Sequence, residues 1–159
     1  MPTKESAKSG SNARKPAKLW SDVERAAAQE TTRERKRQSR RRPEDERAEG
    51  ELEVRTKIAA MPPAERSMAE RIHAIVAATA PELVPRTYYG MPAYAKNGKV
   101  ICFFQAASKF KVRYSTFGFQ PEASLDEGTM WPIAYALTKL TAADEAKLGV
   151  LVKKAVSEV

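Results

Sequence analysis

The four residues Lys96-Asn97-Gly98-Lys99, set between two apolar runs, dictate a reversal of the chain. A two-residue type I′ turn needs positive φ at both central positions, and Asn-Gly accepts that at least cost. Counting outward from the turn pairs Ala95 with Val100, Tyr94 with Ile101, Ala93 with Cys102 and Pro92 with Phe103. Tyr94 and Ile101 are then expected on one face of the hairpin, with Ala93, Ala95, Val100 and Cys102 on the other. Small residues opposite large ones suit a sheet face that receives a helix. The run Val-Ile-Cys-Phe-Phe over 100–104 is apolar on both faces, as an inner strand is.

Other elements follow from periodicity. Val54, Ile58 and Met61 fall at i, i+4 and i+7, predicting a short helix over 51–61 that Pro62 and Pro63 stop. Met68, Ile72, Ile75, Val76 and Thr79 form an apolar stripe on a second helix over 64–80. Pro81 and Pro85 are read as bracketing a turn. Residues 109–116, Lys-Phe-Lys-Val-Arg-Tyr-Ser-Thr, alternate and predict a strand with Lys109, Lys111 and Arg113 on one face. A turn-rich loop follows over 117–132, then a strand over 133–140. Thr141 caps a last helix with Leu148, Leu151, Val152 and Ala155 inward. The order predicts an α+β fold. An antiparallel sheet of about four strands is packed with N- and C-terminal helices and covered mainly on one face.

Aromatic residues set the domain division. Of twelve, only Trp20 lies in the first fifty residues, a segment with 14 basic and 9 acidic side chains. So few bulky apolar groups cannot offset the entropy of ordering. Residues 1–20 are read as a disordered tail and 21–50 as a solvated basic helix and linker. That helix opens on a Ser21/Glu24 capping box and ends by Pro43. Residues 51–159 are read as the α+β domain.

Composition narrows the function classes. One cysteine, Cys102, excludes an intramolecular disulfide framework. No apolar run approaches a bilayer span, and the basic N-terminus lacks the apolar stretch of a secretory signal, so a cytoplasmic protein without membrane association is expected. His73 is the sole histidine and reads as a helix-boundary residue, and Cys102 as a buried structural thiol. With no second histidine and no phosphate loop, no catalytic constellation can be assembled, and a non-enzymatic protein is expected.

The stretch Tyr-Tyr-Gly-Met-Pro-Ala-Tyr over 88–94, the Asn-Gly hairpin, the Pro81-Glu82 turn and the Thr-capped closing helix resemble the YdhG-like domain family, a bacterial family of unknown function. The resemblance covers about residues 62–156. It implies an α/β sandwich related to the YjbR/CyaY-like and frataxin-like architectures, and an iron-chaperone role inside the cell. The acid cluster in the sheet region that could serve iron is Glu122, Asp126 and Glu127.

One function is therefore expected first, with a second as its alternative. The first is a small binding module, linked by the resemblance to iron handling. Its candidate ligand residues are Tyr89, Met91, Tyr94, Lys111, Arg113 and Trp131, where aromatics and cations could receive an anionic ligand. The same aromatics are equally what a small core uses. The other is an accessory nucleic-acid-binding protein. Residues 33–42 hold seven basic side chains and one acid, among them Arg37, Arg40, Arg41 and Arg42, and such runs bind phosphate backbones. A solubilising tail is the alternative for that run.

Overall fold

A computed structural model describes residues 21–157. The chain runs α1 (Asp22–Ser39), α2 (Glu46–Ala59), α3 (Pro63–Thr79), β1 (Val84–Tyr88), β2 (Met91–Lys96), β3 (Lys99–Gln105), α4 (Ala107–Phe110), β4 (Ser115–Phe119), β5 (Ala134–Leu137) and α5 (Ala142–Ala155). The fold is α+β, as expected. The sheet has five strands rather than four, in the order β1-β2-β3-β4-β5, every neighbouring pair antiparallel. The added strand is β1, read in sequence as a turn because of Pro85. The tail expected over 1–20 lies outside the described residues.

Local signals set the helix ends. Ser21 accepts the Glu24 amide at 3.2 Å while the Glu24 carboxylate accepts the Ser21 amide at 3.1 Å, and Thr141 and Asp144 repeat the arrangement on α5. Pro63 opens α3 at a position where a missing N–H costs nothing. α2 starts at Glu46, earlier than its apolar stripe implied, so the expected linker shortens to the few residues after Ser39. A Cβ on Gly50 would stand 1.9 Å from the Pro85 carbonyl oxygen. Only glycine lets α2 lie that close to β1.

Register sorts the strands into two faces. Tyr94, Cys102 and Phe119 are opposite one another, as are Phe104, Phe117 and Tyr135. Their face packs against Val54 and Ile58 of α2, Met68, Ile72 and Val76 of α3, and Leu148 and Val152 of α5 in one apolar core. Burying each such side chain is worth about 1.5–3 kcal/mol. Arg86, Ala93, Phe103, Gly118 and Ala134 line up on the other face, whose residues are not part of that core.

Two sheet expectations are corrected. Asn97 and Gly98 do take positive φ, 53° and 77°, and Ala95 does pair with Val100. Tyr94 then pairs with Cys102, not Ile101, because the register slips by one residue between Tyr94 and Ala95. The irregularity lets the consecutive residues Ile101 and Cys102 both enter the core. The strand expected over 109–116 is absent. Residues 107–110 make one helical turn, closed by Lys111 at φ 53°, and Glu65 accepts the Ser108 amide at 2.9 Å. The strand begins at Ser115, which places Phe117 and Phe119 in the core and leaves Val112 and Tyr114 exposed. Burial of two phenyl rings outweighs the alternation preceding them. Lys109, Lys111 and Arg113 therefore form no stripe on a strand. Among the described residues no helix is long and apolar enough to cross a membrane.

Candidate nucleic-acid interface

The basic helix is docked, which corrects the expectation of a solvated arm. Ala27, Thr31 and Glu34 lie buried at i, i+4 and i+7, Glu34 being only 1% exposed. Its carboxylate accepts the Gly90 amide N–H at 2.7 Å, at the tip of the β1–β2 hairpin. One turn on, the Gln38 amide donates to the Thr87 carbonyl at 3.1 Å, and its oxygen accepts from Arg86. β1 is the edge strand, and Thr87, one residue from the pair that closes the hairpin turn, directs its carbonyl outward, away from β2. α1 thus covers the open edge of β1 with side-chain hydrogen bonds.

Charge pairs extend the contact to α2 and α4. Glu30 accepts from Lys57 of α2 and, at 3.2 Å, from Lys109 of α4. Burial opposes charge on Glu30, but these two ammonium groups outweigh it and hold the carboxyl below its ordinary range. Glu34 goes the other way. Burial pushes its carboxyl up, the Gly90 amide and Thr87 only partly oppose this, and the Glu30 charge adds to it. Arg41 is turned inward, its side chain 6% exposed, and pairs with Glu49 at 2.8 Å and with Glu53. It was nominated with Arg37, Arg40 and Arg42 as a phosphate contact; its partners on α2 remove it from that set.

Docking fixes what faces outward. Arg33, Lys36, Arg37 and Arg40 stand at i, i+3, i+4 and i+7 and are all exposed. They form one ridge about 10 Å long at 1.5 Å rise per residue. Arg37 leans toward Glu53 at 3.5 Å. Among the described residues Arg33, Arg35, Lys36, Arg40 and Arg42 make no ion pair. A ridge of cations on a helix held in place presents charge without the entropic cost of ordering a free arm.

The other nominated residues are not brought together. Tyr94 is buried on the core face, whereas Met91 pairs with Tyr88 on the opposite face and Tyr89 occupies the turn at φ 51°. Trp131 packs partly buried against the core. Lys111 and Arg113 are exposed beyond α4, with Arg113 5.2 Å from the Tyr114 ring centroid. Glu122, Asp126 and Glu127 are exposed, and Glu127 pairs with Lys154 at 3.6 Å. Among the described residues no group of three or more His, Cys, Asp and Glu side chains is placed to hold a metal ion.

One polar cluster had no signal in the sequence. His73 Nδ1 lies 2.8 Å from the Tyr94 hydroxyl and Nε2 lies 2.7 Å from the Glu51 carboxylate. A carboxylate only accepts, so in the neutral ring Nε2 carries the hydrogen and Tyr94 donates to Nδ1. Burial, with Cys102 and Glu51 nearby, holds the Tyr94 phenol well above its ordinary value. Glu51 is held low despite partial burial, by His73 and by Arg55 at 2.6 Å. The cluster joins α2, α3 and β2, and its Glu51 and His73 line a cleft of about 470 Å³ with Arg55, Glu70 and Ala74. His73 is thus a buried bridge, not a boundary residue, while Cys102 is buried as expected.

No family model matches the chain, and no curated protein or solved structure matches it.

Proposed function

We propose that this protein is a nucleic-acid-binding module whose phosphate-contacting surface is the ridge Arg33, Lys36, Arg37 and Arg40, continued by Arg42. The observation that carries the reading is the docking of α1 through Glu30, Glu34 and Gln38. Glu30 and Glu34 are engaged with α2, α4 and the sheet, and the unpaired cations of the second half of the helix face solvent. The whole chain has a formal net charge of +8, which favours encounter with a polyanion. Contacts of this kind neutralise phosphates and read charge rather than base identity.

The test is a fluorescence-anisotropy titration of labelled single-stranded and duplex DNA at low salt, with the wild-type chain and the variant Arg33→Gln/Lys36→Gln/Arg40→Gln. Wild type is expected to bind and the variant to bind far more weakly. Equal binding by both would remove the ridge from the interface.

A further inference from the structure

We infer that the sheet face opposite the helical core takes the bases of a single-stranded nucleic acid, stacked on Tyr88 and Phe103; this rests on the reading that α1 binds phosphates. Register places the two rings on that face, with centroids 6.2 Å apart. Tyr88 is further held by Tyr89 edge-on at 4.7 Å. Both platform rings are half-buried, so one side of the pair is anchored and the rest meets solvent.

The neighbouring positions are built small. Gly118 lies opposite Phe103, and a Cβ there would come within 2.5 Å of the Phe103 ring. Its absence lets the ring lie down across the sheet instead of standing off it. Ala134 and Ala136 continue the same face with exposed methyl groups, beside Thr116 and Gln105. The two rings are inclined to each other by 52°, so each offers its own face to a base, and every base has a π-face to lay on it.

Arg35 and Arg86 supply this surface with positive charge that favours an anionic occupant, and Glu122 is the acid that acts against it at Tyr88. Arg35, exposed on α1 and without an ion pair among the described residues, is near enough to Tyr88 to act on its phenol. Arg86 crosses the same face from β1 to donate to the Gly98 carbonyl at 3.1 Å, and its buried Nε has no partner. Arg35 therefore borders the rings from one flank of α1, and the ridge Arg33, Lys36, Arg37 and Arg40 lies on the other flank, within reach of the same strand across the helix. A duplex buries its base faces within its own stack and has nothing to lay on these rings. A single strand has its bases free.

The experiment titrates full-length protein with a labelled oligo(dT) of about 15 nucleotides and with a duplex of the same length. Tyr88→Leu, Phe103→Leu, the aromatic-preserving Tyr88→Phe and the triple ridge variant are compared with wild type, and a thermal melt confirms that each is folded. Wild type is expected to prefer the single strand. Each Leu variant should lose roughly tenfold or more of that affinity and keep its duplex affinity, Tyr88→Phe should bind as wild type does, and the ridge variant should lose both substrates. Folded Leu variants that bind the single strand like wild type would overturn stacking and leave the ridge reading intact. No binding of either substrate by wild type would overturn both. If the Leu variants do not fold, a 2-aminopurine-substituted strand decides the matter. Fluorescence that changes on binding to wild type marks a stacked base, and unchanged fluorescence overturns the proposal.

Discussion

The Glu34 carboxylate accepts the Gly90 amide N–H at 2.7 Å across 56 residues of sequence, joining the basic helix to the tip of the first hairpin. It is almost fully buried, and its single acid function sits where burial disfavours charge. With the contacts of Glu30 and Gln38, it makes the charged helix part of the folded unit.

Glu34 should therefore weaken the protein as pH rises. A carboxyl whose pKa is raised in the fold contributes stability that is fully present below its unfolded value, about 4.3, and is lost as pH rises through the folded value. Glu34→Gln keeps an oxygen for the Gly90 amide and removes the charge. It should stabilise the protein at neutral pH by on the order of 1 kcal/mol and flatten the pH dependence above the carboxylate range. Urea melts of both proteins at several pH values check this.

Gly90 and Gly98 should differ under the same substitution. Both have positive φ, 74° and 77°. A Cβ at position 90 would also meet the Glu30 carboxylate at 2.3 Å and Lys109 Nζ at 2.5 Å, whereas position 98 has open space. Gly98→Ala is expected to cost about 1 kcal/mol from backbone strain alone. Gly90→Ala should cost clearly more, because Glu30 must leave its lysines. Chemical denaturation of the two variants gives the comparison.

Removing α1 should destabilise the remainder. Truncation before Pro43 exposes the edge of β1 and strips Lys57, Lys109 and Glu53 of their ion-pair partners. A chain of residues 43–159 is expected to melt at lower temperature than the full protein. An unchanged melt would mean that the helix contributes nothing to the fold.

The Tyr94–His73–Glu51 cluster should behave as a structural unit. Tyr94→Phe leaves buried Nδ1 of His73 without a donor and should cost about 1–3 kcal/mol. Glu51, held low, contributes stability that is present above its unfolded value and lost as pH falls through its folded value. Glu51→Gln should soften the acid side of the stability profile, modestly because the carboxylate is a third exposed. Melts between neutral and acidic pH measure it.

How far these features can be read from the sequence depends on the kind of force that makes them. α3 and α5 are legible because Met68, Ile72 and Val76, and Leu148 and Val152, repeat with helical period, and both capping boxes are local. The Asn97-Gly98 turn is legible because it is steric. β1 is hidden because Pro85 looks like a breaker, yet on an edge strand its missing N–H is harmless. The slip beside Ile101 is a tertiary choice that admits two adjacent apolar residues to the core. Docking of α1 is hidden for a different reason. Its inward side is Ala27, Thr31, Glu34 and Gln38, so polar contacts with Gly90 and Thr87 replace the apolar stripe that periodicity detects. The run 33–42 announces its charge, but not that Arg41 turns inward to Glu49 and Glu53. Pairing of Tyr88 with Phe103 on one face needs the register of three strands.

The salt dependence of DNA binding tests the central claim most directly. Each neutralised phosphate of a single strand contributes about −0.7 to the slope of log K against log salt. Wild type is expected to bind oligo(dT) with a steep slope, and Arg33→Gln/Lys36→Gln/Arg40→Gln to lower its magnitude by about 2. Slopes that coincide, or no binding at the lowest salt, would contradict the assignment of the α1 ridge as the phosphate-binding surface.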